Sequence, residues 1–213
     1  MNDKDAPIEP IDTPEAPELT AIEFESPGRF TVHNPQPATG DTAQSEPAPF
    51  ILGQHEPLER FSMPQEARAH ALALIQQAQR SLCLYSENLE PWLYHSSSVQ
   101  QACTRFLLSS PRARLRILLR DTTRAVKEGH RLLALSRRLS SNLHIRKFNP
   151  DYPSDELAFL IADDRGLFLL PELNQQSGYT LYNDPARVRQ RQTQFDQAWD
   201  TSITDPDLRS FLL

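Results

Sequence analysis

Proline and charge divide this chain near residue 60, and the division limits how much of it can fold. Residues 1–60 hold ten of the 18 prolines. They also carry Lys4, Arg29 and Arg60 against twelve acidic residues, a balance of −9, whereas residues 61–213 carry 19 basic and 16 acidic residues, a balance of +3. A segment of the first kind cannot bury enough apolar surface to offset an ordering entropy of about 1–2 kcal/mol per residue. Residues 1–60 are therefore read as a disordered acidic, Pro-rich arm and residues 61–213 as one folded domain. Inside the arm, Ala21–Phe24 and Arg29–Val32 alternate apolar and polar around Ser26-Pro27-Gly28. That pattern fits a hairpin or a plain spacer, and Pro49-Phe50-Ile51-Leu52 has the same two readings. An isolated hairpin is marginal in water, so the first reading makes the arm a contact for a protein partner.

The whole chain is 38% hydrophobic with a mean hydropathy of −0.54. No apolar run approaches the roughly 20 residues of a membrane span, and the acidic start MNDKDAPIEP is the reverse of a signal peptide's basic n-region. A soluble cytoplasmic protein with no membrane contact is expected. Cys83 and Cys103 are too few for a disulfide framework or a four-ligand zinc site. The histidines at 33, 55, 70, 95, 130 and 144 have no paired ligand spacing. No metal and no cofactor are expected.

From Ser62 the pattern becomes helix-then-strand. Ser62 and Gln65 suggest a capping box ahead of a helix over 64–79 that carries Ala67, Ala71, Leu74, Ile75 and Ala78 on one face. Ser81–Ser86 reads as a strand, Ser96–Ser98 as the cap of a helix ended by Ser110-Pro111, and Arg114–Arg120 as a second strand. One long helix is expected over 122–140, with Val126, Gly129, Leu132, Leu133, Ser136 and Leu139 inward, followed by a strand over 143–148. Runs at 157–162 and 166–170 straddle the turn signal Asp163-Asp164-Arg165-Gly166, a last strand covers 178–182, and Asp184-Pro185 starts a closing helix buried through Val188, Phe195 and Trp199. Helical crossovers early and hairpins late imply an α/β domain with a mixed sheet flanked by helices.

This order resembles one half of the phospholipase D-like fold across roughly residues 62–202. The runs RSLCLYSENLEPWLY, RLRILLR, KEGHRLLALSRRL with LHIRKF, and QFDQAWD are similar to an uncharacterised proteobacterial domain family, some of whose members place the domain behind an acetyltransferase domain. No such domain is expected here, because the first 60 residues are too few and too polar. Active halves of the resembled fold carry His-x-Lys-x4-Asp followed by Gly-Ser-x-Asn. The histidine attacks phosphorus and the lysine neutralises phosphate charge. Setting Asp163 on the motif's aspartate puts Glu156 in the histidine's place and Ala158 in the lysine's, with Leu170, Pro171 and Leu173 where Gly-Ser-x-Asn belongs. On that register the half is catalytically inactive. A second register, His144-x-Arg146 with Asp151, keeps the spacing but lies one strand early, contains Pro150, and has Ala158 where glycine belongs. It leaves a phosphodiesterase or nuclease as the alternative. Two halves share one site in the resembled fold, so a lone half implies a homodimer or partner complex.

Residues 105–147 contain twelve Arg or Lys against Asp121 and Glu128. On an unbroken helix, Arg124, Lys127, Arg131 and Arg138 fall within about 60° of one another. Such a ridge suits nucleic acid or another phosphate-bearing ligand, or is a solvated helix face, or is screened by the acidic arm. Parallel strands also place ligands beyond their carboxyl ends. Those ends supply Tyr85, Ser86 and Glu87, then Arg120 and Asp121, then Arg146 and Lys147, and His130, beside the apolar stripe of the long helix, either points toward this cleft or caps the core edge. The candidate binding residues are thus Tyr85, Arg120, Asp121, Arg124, Lys127, His130, Arg131, Arg138 and Arg146. Packing for Tyr85, capping for Asp121 and a core-edge role for His130 are the structural alternatives.

Overall fold

The runs AFLIA and GLFLL are apolar at almost every position, so neither face of the strands they form can be left to water. In the computed structural model, which describes residues 46–151 and 157–208, they are β5 (Ala158–Ala162) and β6 (Gly166–Leu170), and every residue of both is buried. They belong to one seven-stranded sheet with β1 (Glu59–Phe61), β2 (Ser81–Ser86), β3 (Arg114–Leu119), β4 (Leu143–Lys147) and β7 (Gly178–Leu181), in the order β1-β7-β6-β5-β2-β3-β4. The pairs β2/β3 and β3/β4 are parallel, and all other pairs are antiparallel. The mixed sheet expected from helical crossovers and late hairpins is present.

Because successive strand residues point to opposite faces, the sheet has two cores. Leu82, Leu84, Leu115, Ile117, Leu160 and Phe168 face a layer of α1 (Pro64–Gln77), α2 (Pro91–Tyr94), α3 (Ser97–Ser109) and α5 (Arg131–Arg138). Cys83, Tyr85, Leu118, Phe159, Ile161 and Leu167 face α6 (Pro185–Asp200) through Val188, Phe195 and Trp199. Both cysteines are buried and unpaired. Burial pushes the Cys103 thiol up to about 12.

The helix starts follow side-chain chemistry. Ser96 Oγ accepts from Val99 N at 3.2 Å, and Asp184 Oδ1 accepts from Arg187 N at 2.9 Å with Pro185 in the first turn. At α1 the capping residues differ from the Ser62–Gln65 pair. Met63 is the N-cap, and Glu66 accepts from the backbone N–H groups of Ser62 and Met63 at 3.1 and 3.2 Å.

Two further expectations need correction. The helix over 122–140 is broken into α4 (Thr123–Lys127) and α5. Gly129 takes the left-handed φ of +61° that commonly ends a helix, and the next residue, His130, caps α5 by accepting from Leu132 N at 3.2 Å. Val126 is only partly buried and Gly129 is exposed, because the inward stripe restarts after the break. Second, residues 46–60 are not a solvated part of the arm. Gln77 donates to Phe50 O and accepts from Leu52 N, both at 2.8 Å, while Gly53 N donates to Tyr182 O at 2.7 Å. Phe50 stacks on His70 at 5.6 Å, and Phe61 in β1 stacks on Phe168 at 4.8 Å, each aromatic contact contributing about 0.5–1.5 kcal/mol. The Ala21–Val32 hairpin reading lies outside the described residues.

Candidate functional site at the strand ends and on the open sheet face

The register Tyr85↔Phe159 brings Ala158 to the carboxyl end of β2. The chain there turns sharply, with Leu89 at φ +66°. Ser86 Oγ donates to Glu90 Oε2 at 2.8 Å and accepts from Leu89 N at 2.8 Å, while Glu87 N donates to Glu90 Oε1 at 3.3 Å. Glu90 is buried, and loss of water pushes its carboxyl up to about 7 although the Ser86 and Glu87 bonds favour the anion. His130 is also buried beside the His95 ring, at 4.8 Å, and burial lowers its imidazole to about 4. The strand end therefore holds a protonatable carboxyl and a neutral capping imidazole. Ala158, where the resemblance would put a lysine, is buried and uncharged.

Among the described residues, the other strand-end candidates are held by separate local contacts. Tyr85 is buried, stacked on Phe159 at 4.7 Å and edge-on to Phe148 at 4.6 Å. Asp121 Oδ1 accepts from Thr123 N at 2.9 Å, a turn-capping bond that lowers its pKa. Arg120 N reaches back to Ser86 O and Glu87 O at 3.2 and 3.0 Å, tying β2 to β3. Asp205 accepts from Thr122 Oγ1 at 2.6 Å and lies 3.7 Å from Lys147 Nζ.

The basic ridge fares similarly, because its angular argument holds only for an unbroken helix. Arg124 and Lys127 lie on α4, and Arg131 and Arg138 lie on α5. Arg124 pairs with Glu128 at 2.9 Å, and Arg131 Nη1 donates to Gln100 Oε1 at 3.5 Å.

A different cationic surface emerges from the sheet. On β3, Arg114 and Arg116 point to the face that α6 covers, and β4 adds His144 and Arg146, with Arg116 opposite His144 and Leu118 opposite Arg146. Helix α6 lies over the middle of the sheet and reaches this part only through its last turns. Arg116 lies over the rings of Phe195 and Trp199 at 5.0 and 5.5 Å, and Arg146 over Trp199 at 4.7 Å. Arg80 and Arg112, from the loops before β2 and β3, complete the groove. Sequence reasoning found Arg146 but missed Arg80, Arg112, Arg114 and Arg116. The period-two spacing in RLRILLR and LHIRKF was the available signal.

The two motif registers take distinct places. Asp163 has φ +54°, and its carboxylate accepts from the N–H groups of Gln79, Arg80 and Ser81 at 2.9, 2.7 and 2.9 Å. It thus clamps the α1–β2 loop to the β5–β6 turn. Glu156 lies outside the described residues. In the second register His144 and Arg146 share the open groove, but Asp151 follows the turn after β4, where its N–H donates to Asn149 Oδ1 at 3.1 Å. Among the described residues, no group of three or more His, Cys, Asp or Glu side chains converges on a metal-sized site, and no helix is long and apolar enough to cross a membrane.

Solved structures of similar fold include TrmBL2, an archaeal chromatin protein with a novel mode of DNA binding. It matches with a TM-score of 0.52 at 14% identity over 70% of this chain and 54% of its own. This chain thus spans about half of that protein. Nuc from Salmonella typhimurium, a phospholipase D family member, matches with a TM-score of 0.48 at 14% identity over 68% of this chain and 94% of its own. NucT from Helicobacter pylori matches at 0.49 and 12% over 70% and 99%. No curated protein matches in sequence. The model of a domain of unknown function, DUF7931, matches residues 63–211, and the chain belongs to that family.

Proposed function

We propose that this protein is a non-catalytic binding module on a phospholipase D-like half-fold, that an acidic arm precedes it, and that its ligand is a phosphate-bearing polyanion. The observation that carries the reading is the composition of the strand end. A phosphoryl-transfer site needs a nucleophile beside a cation in a site open to substrate. Among the described residues there, Glu90 is buried, His130 spends Nδ1 on a helix cap, and Ala158 contributes no charge. Polyanion binding is supported by the excess of arginine and lysine over residues 105–147. The test is fluorescence anisotropy of a labelled oligonucleotide with the full chain across a salt series. Binding that weakens steeply with salt supports the reading, since each cation–phosphate contact releases counterions. Absent or salt-insensitive binding rejects it.

The alternative is a phosphodiesterase using His144, favoured by its placement in one groove with Arg146. It requires metal-independent hydrolysis of a generic phosphodiester that disappears in His144→Ala. Arginine is a poor replacement for a point-charge lysine, and no described carboxylate orients the His144 ring.

A further inference from the structure

We propose that the open β3–β4 part of the sheet is the surface that takes the phosphodiester backbone of a nucleic acid. This rests on the polyanion-binding reading and gives it a location that neither the strand ends nor the α4–α5 region supplies. Arg80, Arg112, Arg114, Arg116, Arg146 and His144 line a single groove, and Asp163, Asp164 and Asp196 border it on the side where Arg80 and Arg116 meet α6. Asp196, reaching from α6, pairs with Arg116 at 2.9 Å. Arg80, Arg112, Arg114 and Arg146 have no ion-pair partner among the described residues. Like charges gathered in this way repel one another, so the arrangement favours an anionic occupant.

The geometry points to a polymer rather than a single small anion. Side chains two apart on β3 are separated by about 6.8 Å, and cross-strand neighbours by about 5 Å, which sets guanidinium groups at intervals comparable to successive phosphates of an extended strand. The groove is an open sheet face, not an enclosed cavity, and it continues from the loops before β2 and β3 to Arg146. Contact with Trp199 and Phe195 restrains the Arg116 and Arg146 guanidinium groups. Groups already held this way lose less rotamer freedom when phosphate arrives. The groove is built from the amino ends of β2 and β3 and from His144 and Arg146 along β4, and the Glu90 cluster follows the carboxyl end of β2, so the two regions are separable by mutation.

The test uses the full chain, a fluorescein-labelled single-stranded oligonucleotide and three charge-reversal variants. Arg114→Glu/Arg146→Glu is expected to weaken binding at least about tenfold, and to lower the salt slope by about 0.7 for each phosphate that the variant no longer neutralises. Arg146 is packed on Trp199, so Arg80→Glu/Arg112→Glu, confined to exposed side chains, serves as the variant whose folding is not at stake. It is expected to weaken binding in the same direction. Arg124→Glu/Lys127→Glu/Arg138→Glu is expected to change affinity less than about threefold beyond the non-specific effect of lower net charge. Wild-type affinity in both groove variants, or weakening confined to the α4–α5 variant, overturns the location while leaving polyanion binding intact. Displacement of the oligonucleotide by inorganic phosphate beyond the effect of chloride at matched ionic strength shows a small-anion site and overturns the nucleic-acid assignment. No binding by the wild type overturns the underlying reading as well.

Discussion

Replacing Glu90 with glutamine isolates the cost of burying a carboxyl at the end of β2. Burial raises the Glu90 pKa from the ordinary 4.5 to about 7. The folded state therefore holds this proton more tightly than the unfolded chain does. Glu90's contribution to stability is most favourable below about 4.5, declines as pH rises through the interval to about 7, and is level above it. At 1.36 kcal/mol per pKa unit the loss amounts to about 3 kcal/mol. Glutamine keeps the volume and an acceptor for the Ser86 hydroxyl or the Glu87 N–H, but carries no charge at any pH. Urea unfolding of both proteins, followed by far-ultraviolet circular dichroism from pH 4.5 to 8.5, measures the difference. With an m-value of about 2 kcal/mol/M, the midpoint of Glu90→Gln should gain about 1.5 M on wild type between the two ends of the range. The pH dependence contributed by the buried His130 is common to both proteins and cancels in the difference. A stability difference that does not change with pH would show that the Glu90 carboxyl is paired or hydrated, and the account of the strand end would fail.

Other outcomes follow from the same geometry. Gly129→Ala meets no atom within 4 Å but must adopt φ +61°, so it should cost about 1 kcal/mol and lower the melting temperature by roughly 2–4 °C. A stabilised variant would indicate an unbroken helix. Asp163→Ala removes the acceptor for three backbone N–H groups and should cost about 1–3 kcal/mol in urea unfolding. An unchanged unfolding midpoint would show that the carboxylate does not hold the α1–β2 loop.

Much of the sheet was legible because its central strands are uninterrupted apolar runs, and because Ser96 and Asp184-Pro185 announce helix starts with local chemistry. The break between α4 and α5 was not. Val126, Leu132, Leu133 and Leu139 fit one helical stripe as well as two, and an imidazole cap at His130 depends on burial that no local pattern encodes. Residues 46–61 were hidden for another reason. Phe50, Leu52 and Phe61 are scattered among prolines, and their partners include Gln77, Phe168 and Tyr182, far along the chain. The open groove shows both sides at once. Arg114 with Arg116, and His144 with Arg146, alternate visibly in sequence, but only the β3–β4 pairing brings them together. That α6 covers the middle of the sheet and leaves this end exposed is a tertiary fact.

The central claim, that phosphate recognition persists here without phosphoryl-transfer chemistry, is tested most directly by the fate of a bound strand. An end-labelled oligonucleotide is held with excess protein at low salt without added metal, binding is verified on one portion, and the remainder is run on a denaturing gel. Complete binding is expected, with the strand recovered at full length after prolonged incubation. Time-dependent cleavage by wild type that His144→Ala abolishes would contradict the claim.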